Sequence, residues 1–466
     1  MRQFRRIGAA LALFLVALLA NLTWLQVIDA DSLRAQSGNT RTLLEQYNRA
    51  RGPIIVNAES IATSSRSASD GFYQRSYTAG PLYAAVTGYY SLLYGATGIE
   101  RSENGVLSGT DPRLLVDRIQ QLFAGLHQAG GAVQLTIDAR AQLAANRALG
   151  NHVGAAVALN ARTGAVLALV SSPSFDPQRL APNDPASVRA YYEQLMSDPQ
   201  QPLLNRALSR TYAAGTAFRL VTTAAALASG RFTPNTTLQA PASISAGGAT
   251  VRNPSGRACG SGSISLARAW RTSCTTAFAW LGSVLGADAI RSAAEQFGFG
   301  NQPLSQLPSV ASSVAGHGTL HSVIEAAVGQ RDVQVTALQM AQLAAAVAND
   351  GNLMNAYVVQ DVRAGNLAEL EHATPTVHST PLSKTAARAI ATMMSGVNGR
   401  SDCADCRIGP YSVHSASSDN PAWFIAFAGD IAVSAVIEKP TQAAAADRAA
   451  ARQVALSTLR AVLAKS

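Results

Sequence analysis

One stretch, from Leu203 to Ala226, sets the arrangement expected of the rest of the chain; it reads LLNRALSRTYAAGTAFRLVTTAAA. It begins polar and turn-prone, passes Gly215, and continues as a long apolar run typical of a buried helix. A loop that leads into a helix brings side chains to the helix N-terminus, where free N–H groups and the dipole favour negative charge. Nucleophiles are often mounted in this way, so we expect a functional site where the loop leads into this helix.

The composition is that of a globular protein with a basic surface. The chain has 466 residues, of which 48% are hydrophobic and 14% charged, which predicts two or three packed domains. The net charge is +9, and nearly all of the 37 basic residues are arginines. This bias reflects either a GC-rich genome or attraction to anionic lipid or wall polymer. No basic block is interleaved with aromatic residues, so we expect no nucleic-acid binding.

The N-terminal segment is predicted to anchor the chain in a membrane. Residues 7–28 form an uncharged and mostly apolar run of 22 residues, which is long enough to cross a bilayer as one helix. Arg2, Arg5 and Arg6 precede it, so residues 1–6 should be a cytoplasmic tail and the bulk of the chain extracellular. A cleaved signal peptide is the alternative, but its apolar region is normally only about 7–15 residues long.

The chain has four cysteines, and we expect them to form disulfides outside the cell. Cys403 and Cys406 have the spacing of a redox or zinc motif. One such pair without a second ligand pair is weak evidence for zinc, so a local disulfide is favoured. Cys259 and Cys274 would then pair with each other, with 14 residues between them.

We expect neither a metal nor an organic cofactor. His317 and His321 have the i, i+4 spacing of a zinc-binding helix, but Gly318 stands where that motif carries glutamate, and the context is a loop. The Gly-rich segment 246–262 has no lysine and no phosphate-loop spacing.

The hydrophobic pattern predicts an α/β domain built on an antiparallel sheet. Two apolar runs flank Asn160–Gly164, which indicates a β-hairpin within Gly154–Pro177. Near the C-terminus, the strands Ala422–Phe427 and Ile431–Glu438 should pair. The other expected elements are a strand at Val133–Asp138, helices at Ala139–Leu149, Val221–Leu227, Ile264–Gly282 and Thr441–Leu463, a loop at Tyr191–Gln200, and a helix that ends at Gly351. We expect helices to surround the sheet and further helices to form an all-helical subdomain.

Several short segments resemble class B penicillin-binding proteins, in particular the actinobacterial penicillin-binding protein A type. They are LLNRAL, TYAAGTAF and VTTAAAL within residues 203–227, together with Arg51–Ile54, Val86–Gly98, Leu107–Gly109 and Ala326–Gln330. The resemblance covers nearly the whole chain. It implies a penicillin-binding/β-lactamase-like transpeptidase fold, with a small N-terminal pedestal domain over residues 29–130 and a transpeptidase-like domain over residues 131–466.

The first catalytic motif of that family, S-x-x-K, aligns with Thr216-Ala217-Phe218-Arg219. In the family, the serine attacks the substrate and the lysine activates it. Threonine carries the hydroxyl, but its methyl group crowds a tight site. Arginine is the larger change, because its pKa lies above about 12 and it cannot accept a proton in a protein. Burial depresses the pKa of a lysine, and we expect no comparable effect on an arginine.

The second motif, S-x-N, aligns with Ser273-Cys274-Thr275. Ser273 keeps the hydroxyl, whereas Thr275 replaces an asparagine whose amide both donates and accepts hydrogen bonds.

The third motif, K-T-G on an edge strand, aligns with His414, Ser415 and Ala416. His414 supplies positive charge only when protonated, Ser415 keeps a hydroxyl, and Ala416 adds a Cβ where the substrate backbone should lie. Backbone N–H groups of Thr216 and Ser417 would form the oxyanion hole, which does not depend on side chains. Ala416 and Ser417 are the expected substrate-binding positions.

The resemblance implies a membrane-anchored protein of peptidoglycan assembly or cell division with degenerate catalytic motifs. We expect an inactive transpeptidase homologue that binds a peptidoglycan precursor or muropeptide, or membrane proteins of the divisome or elongation machinery. Two alternatives stay open, an active D,D-transpeptidase that uses Thr216 and an exported structural partner with a closed cleft. Whether the chain is an enzyme is not decided by the sequence.

Overall fold

The computed structural model describes residues 2–24, 49–67, 71–114, 123, 130–246, 248–314, 319–330, 333–366, 368–395, 407–408, 411–419, 421–438 and 444–464.

Strands and helices are interspersed along the described chain. The strands are β1 Ile54–Val56, β2 Glu59–Arg66, β3 Tyr73–Tyr77, β4 Tyr90–Ser91, β5 Gly95–Ala96, β6 Ala132–Leu135, β7 Gly154–Asn160, β8 Val166–Ser172, β9 Tyr212–Ala213, β10 Thr237–Gln239, β11 Ser243–Ala246, β12 Ala249–Arg252, β13 Ser263–Ser265, β14 Ser313–Val314, β15 Val333–Val335, β16 Leu353–Met354, β17 Val359–Arg363, β18 Glu369–His372, β19 Val377–Ser379, β20 Arg407–Ile408, β21 Tyr411–Ser412, β22 His414–Asp419, β23 Ala422–Ala428 and β24 Ile431–Ile437. The helices are α1 Arg2–Thr23, α2 Gly80–Thr87, α3 Gly98–Ser102, α4 Asn104–Leu107, α5 Ala139–Leu149, α6 Pro185–Ser197, α7 Arg219–Ala228, α8 Leu266–Arg271, α9 Thr275–Leu285, α10 Ala287–Gln296, α11 Leu320–Ala327, α12 Ala337–Ala348, α13 Lys384–Ser395 and α14 Ala444–Leu463.

An antiparallel five-stranded sheet forms the centre of the C-terminal region. Its strand order is β22-β23-β24-β7-β8, and every residue of β23 and β24 is buried. These strands lack polar alternation because helices cover both faces, with α12 on one and α5 and α14 on the other. The predicted hairpin and the predicted C-terminal strand pair are both confirmed. Helix α5 has the predicted bounds.

A second, six-stranded sheet joins the N-terminal region to the rest of the chain. Its strand order is β18-β17-β6-β1-β2-β3. Strand β1 pairs in parallel with β6, through Ile54 and Val133, and β6 pairs antiparallel with β17. Strands from before and after residue 130 therefore share one sheet. The division of the chain into domains at that residue stays a prediction.

A buried ion cluster stabilises the N-terminal region around the segment Arg51–Ile54. Glu100 is fully buried, and its carboxylate accepts from Nη2 of Arg51 at 2.8 Å and from Nε of Arg75 at 2.6 Å. The Tyr77 hydroxyl also donates to it, at 3.1 Å. Burial acts to raise the pKa of Glu100, but the two guanidiniums outweigh burial and hold that pKa below its ordinary value. Arg51 thus has a structural role between β1 and α3.

The N-terminal helix α1 covers only part of the predicted membrane span. The span was predicted over residues 7–28, whereas α1 is Arg2–Thr23 and residues 25–48 lie outside the described part. Within the described ranges, no helix is both long enough and apolar enough to cross a membrane. The predicted transmembrane anchor is therefore not confirmed.

The loop predicted at Tyr191–Gln200 was wrong, because helix α6 occupies most of it. Asp184 caps the helix, and its carboxylate accepts from the backbone N–H groups of Ala186 and Ser187. One face of α6 is buried through Val188, Tyr191 and Leu195. The polar residues of the segment lie on the other face, which explains why the composition suggested a loop.

Candidate functional site

Around Gly215, where the sequence changes from polar to apolar, the chain folds as a tight turn that leads into a buried helix. After β9, residues Gly215–Phe218 form a 3-10 turn, and α7 begins directly at Arg219. Thr216 lies on this turn and is half-buried. The structure therefore places Thr216 ahead of a helix N-terminus, as the sequence pattern indicated.

Two hydrogen bonds hold the turn Gly215–Phe218 and the strand before it in place, one between backbone groups and one from the Trp423 indole. The Gly215 N–H donates to the Gly329 carbonyl at 2.9 Å, and Trp423 Nε1 donates to the Ala213 carbonyl at 2.9 Å. Gly329 has φ +76°, and a Cβ there would lie 1.8 Å from the Gly215 oxygen. The segment Ala326–Gln330 therefore packs directly against the turn, and position 329 has room only for glycine.

Arg219 joins the first motif to the second. Its side chain is buried, with only 3% exposed. Nη1 donates to the Ser273 hydroxyl at 2.7 Å and Nη2 to the Thr275 hydroxyl at 2.9 Å. The guanidinium carbon lies 5.0 Å from the centre of the Phe278 ring, and Nε has no partner among the described residues. The two motifs that the sequence placed 54 residues apart thus meet through Arg219.

Arg219 has no counter-ion among the described residues. Within the described part of the chain, no carboxylate lies within ion-pair distance of it, and burial is the cause that lowers the pKa of Arg219 to about 10. Burial thus depresses an arginine pKa here, contrary to the expectation from sequence. The effect leaves the group charged, since about one molecule in a thousand would be neutral at pH 7.

The second motif lies at a break between two helices. The segment Ile264–Gly282 was predicted as one helix, but it contains the end of β13, then α8 and α9, and the two helices are interrupted at Thr272–Cys274. Ser273 has φ +53°, a left-handed conformation that a serine adopts at some cost in free energy. This break aims the Ser273 hydroxyl at Arg219 and lets Thr275 begin α9.

The third motif lies on a sheet edge beside the first. The backbone of residues 414–417 belongs to β22, which pairs only with β23 in the order of its sheet. Strand β22 packs against the 3-10 turn that carries Thr216. Ala416 is buried, with 8% exposed. For His414, Ser415 and Ser417 the structure describes the backbone alone, so their predicted side-chain roles stay predictions.

The cysteines fall into two groups. The Sγ atoms of Cys259 and Cys274 lie at disulfide distance, 2.08 Å apart, which ties the Gly-rich segment to the start of α9. Cys403 and Cys406 lie outside the described residues, as does His317.

The sequence analysis did not single out a titratable cluster on the hairpin β17–β18. Ligand atoms of Asp361, Glu369 and His372 lie within 4.8 Å of one another. His372 Nδ1 lies 2.5 Å from one oxygen of Asp361, and Arg363 donates to the other at 3.4 Å. Both oxygens of Asp361 therefore have partners already. The spacing of Asp361, Glu369 and His372 in the sequence does not indicate this cluster, because the pairing of β17 with β18 brings the three residues together.

Two cavities lie away from the three motifs. An apolar one of about 420 Å³ is lined by residues that include Tyr89, Phe175 and Leu307. A polar one of about 460 Å³ is lined by residues that include Glu103 and Arg113. Thr216, Arg219 and Ser273 line neither cavity.

Two family models match most of the chain. The penicillin-binding protein transpeptidase domain matches residues 154–459. The penicillin-binding protein A dimerisation domain matches residues 51–133.

Relatives of known function match over about four-fifths of the chain. The peptidoglycan D,D-transpeptidase PbpA of Mycolicibacterium smegmatis is 41% identical over 386 residues, which are 80% of this chain and 78% of that protein. PbpA of Mycobacterium tuberculosis is 40% identical over 379 residues, which are 79% of this chain and 77% of that protein.

Solved structures agree with the fold. The imipenem acyl-enzyme complex of penicillin-binding protein A from M. tuberculosis has a TM-score of 0.85 and 34% identity, and covers 90% of this chain and 100% of that chain. The penicillin G acyl-enzyme complex of the same protein has a TM-score of 0.83 and 34% identity, and covers 89% and 100%.

Proposed function

This chain belongs to the penicillin-binding protein transpeptidase family, and from this premise we propose that it serves peptidoglycan assembly by binding, without forming an acyl-enzyme. The observation that carries the proposal is Arg219. It occupies the position of the family's activating lysine, and it is buried, charged and engaged as a donor to two hydroxyls.

Acyl transfer to a hydroxyl nucleophile requires a group that removes the hydroxyl proton. A charged guanidinium has no lone pair available for that proton. Arg219 therefore stabilises anions near it but does not activate Thr216. Thr275 offers a single hydroxyl in place of an amide, and Arg219 already donates to that hydroxyl.

The parts of the cleft that depend on the backbone support binding. Thr216 lies on the turn before α7, and the edge strand β22 packs beside that turn. An edge strand offers unpaired N–H and C=O groups to an extended peptide. PbpA relatives are described as peptidoglycan D,D-transpeptidases, so we propose a peptidoglycan precursor or muropeptide as the ligand.

The second candidate function is an active D,D-transpeptidase in which Thr216 is the nucleophile. The position of its hydroxyl on the turn favours this candidate. The M. tuberculosis protein forms acyl-enzymes with imipenem and penicillin G.

Intact-mass spectrometry separates the two functions. The full-length chain is incubated for many hours with excess benzylpenicillin, beside a Thr216→Ser/Arg219→Lys/Thr275→Asn variant. We expect no added mass on the wild type and an adduct on the triple variant. A covalent adduct on wild-type Thr216 overturns the proposal. Calorimetric binding of a muropeptide stem by the wild type then excludes an exported structural partner with a closed cleft.

We further propose that residues 7–28 anchor the chain in the cell membrane with the bulk outside. Arg2, Arg5 and Arg6 precede the apolar run, and apolar side chains of α1 such as Leu13 are exposed. External protease should digest the bulk of the chain on cells with permeable walls. An intact chain would show the opposite orientation.

Protein partners are proposed for the N-terminal region. Residues 51–133 match a dimerisation domain model, so contacts with divisome or elongation membrane proteins, or a second copy, are expected there. Cross-linking in cells that captures partners only through residues 154–459 would contradict this assignment.

A further inference from the structure

The polar cavity of about 460 Å³ lies where distant parts of the chain meet. Its walls come from Glu103 and Arg113 in the N-terminal region, from residues 305–306, and from segments 355–362 and 371–376 around the hairpin β17–β18. No described residue of the three motifs lines it. Its volume lies within the range of about 300–1,000 Å³ that is typical of small-molecule sites. The cavity is therefore large enough to hold an organic ligand at a place separate from Thr216.

The charged groups of this cavity leave no cation available to a ligand. Arg113 is the one basic residue among the described residues that line the cavity. It donates to Asp111 at 2.9 Å and forms an ion pair with Glu371 on β18. An anionic ligand would therefore meet the carboxylates of Glu103 and Glu371 without a free counter-charge.

Glu103 is a hydrogen-bond acceptor without a donor. Its side chain is half-buried, and no described residue donates to its carboxylate. Burial raises the pKa of Glu103, Arg113 opposes this shift, and Glu371 and Asp111 add to it. The carboxyl group has lost part of its water and has gained no donor from the protein, so a ligand that donates a hydrogen bond to it gains free energy.

Unpaired hydroxyls and an amide line the rest of the cavity. The hydroxyls of Ser305, Tyr357 and Thr374 have no partner among the described residues. Gln306 Oε1 accepts from two successive backbone N–H groups, at 2.6 and 3.2 Å. Because only the oxygen can accept, these bonds fix the orientation of the amide and leave its NH₂ group as a donor. The cavity thus offers both donors and acceptors.

We infer that the polar cavity binds a neutral saccharide, whose ring hydroxyls donate to Glu103 and accept from Gln306. Each sugar hydroxyl both donates and accepts, as the unpaired groups of the cavity require. The side chains of Val359 and Val362 supply apolar surface for the C–H face of a sugar ring. An apolar ligand would instead leave the polar groups dehydrated and unpaired.

The chemistry of the cavity does not depend on the first motif, but the source of the saccharide rests on the proposed function. In a protein of peptidoglycan assembly, the saccharide would be a wall glycan that contains N-acetylated amino sugars. The two proposals fail separately. An adduct on wild-type Thr216 removes the non-acylating function and leaves the saccharide site, whereas the absence of saccharide binding removes only the site.

The test is isothermal titration calorimetry of the full-length chain in a detergent without a sugar headgroup. The probes are chitotriose (a trimer of N-acetylglucosamine), cellotriose, anionic trigalacturonate and Mg²⁺. We expect saturable binding of chitotriose and none of trigalacturonate. Tighter binding of chitotriose than of cellotriose assigns the site to amino-sugar glycans, and equal or tighter binding of cellotriose assigns it to neutral saccharides without acetamido groups. Saturable binding of trigalacturonate or Mg²⁺ alone, or of no probe, overturns the saccharide site.

Three variants locate the binding. Glu103→Gln removes the charged acceptor and should weaken chitotriose binding about tenfold, and Tyr357→Phe removes one hydroxyl and should weaken it about threefold. Glu369→Gln is the matched control, because it changes an exposed carboxylate of the same hairpin that does not line the cavity, and it should leave binding unchanged. Affinity equal to wild type in Glu103→Gln overturns the saccharide site. Should that variant not fold, equal affinity in Tyr357→Phe does so.

Discussion

Replacing Thr216 with serine restores the nucleophile of the family motif but leaves Arg219 as its neighbour in the position of the base. The acylation of this variant by benzylpenicillin therefore reports what the arginine does. If a guanidine is to take the proton, it must first lose its own, and the rate must follow the fraction of neutral Arg219.

The structure sets the size of that fraction. Burial lowers the pKa of Arg219 to about 10, so the neutral form is about one molecule in a thousand at pH 7 and rises about tenfold per pH unit up to that pKa. Raising the pH removes the proton, so the rate should rise. The deficit of about 10³ at pH 7 lies within the 10²–10⁴ that loss of a general base typically costs.

The assay is intact-mass spectrometry of Thr216→Ser at pH 7, 8 and 9, with rates corrected for antibiotic hydrolysis in the same buffers. The Thr216→Ser/Arg219→Lys/Thr275→Asn variant is the matched comparison, and it should label at pH 7 with a flatter profile. The reasoning is refuted if Thr216→Ser acylates equally fast at pH 7 and 9, or if it labels at pH 7 as fast as the triple variant.

Three further predictions concern the framework. Non-reducing peptide mapping should find Cys259 linked to Cys274, and two free thiols would exclude this disulfide. Removing the disulfide should lower the free energy of unfolding by about 3 kcal/mol. Glu100→Gln leaves two buried guanidiniums without a counter-charge and should cost about 3–5 kcal/mol in urea unfolding, whereas a loss under about 1 kcal/mol would show that the cluster is solvated. Gly329→Ala places a Cβ 1.8 Å from the Gly215 oxygen; it should displace the turn and destabilise the protein by about 1–3 kcal/mol, and an unchanged midpoint would contradict the close contact.

Local pattern was enough for much of the framework. Helix α5 was predicted with its observed bounds, and the structure adds that the Asp138 carboxylate caps its first turn. Strands β23 and β24 follow from two apolar runs joined by a short turn. The resemblance of short segments to the family was sufficient to place Thr216 on a turn before a helix, since turn and helix are encoded by neighbouring residues.

Segments that depend on distant packing were predicted less well. Helix α6 contains enough polar residues to look like a loop, and its buried face exists only because other elements pack on it. The break at Ser273 interrupts an apolar pattern that continues on both sides. The strand pairing that brings Asp361 to His372 depends on register, which spacing alone does not define.

The sequence by itself determined which residues stand at the catalytic positions: Arg219 occupies the place of the family's lysine, and a charged guanidinium has no lone pair to accept a proton. Only the tertiary structure decided which groups the arginine contacts. Its partners lie 54 and 56 residues away, and burial is the cause of its lowered pKa. The positive charge of an arginine is a property of its side chain, whereas the free-energy cost of burying that charge depends on the residues that pack around it.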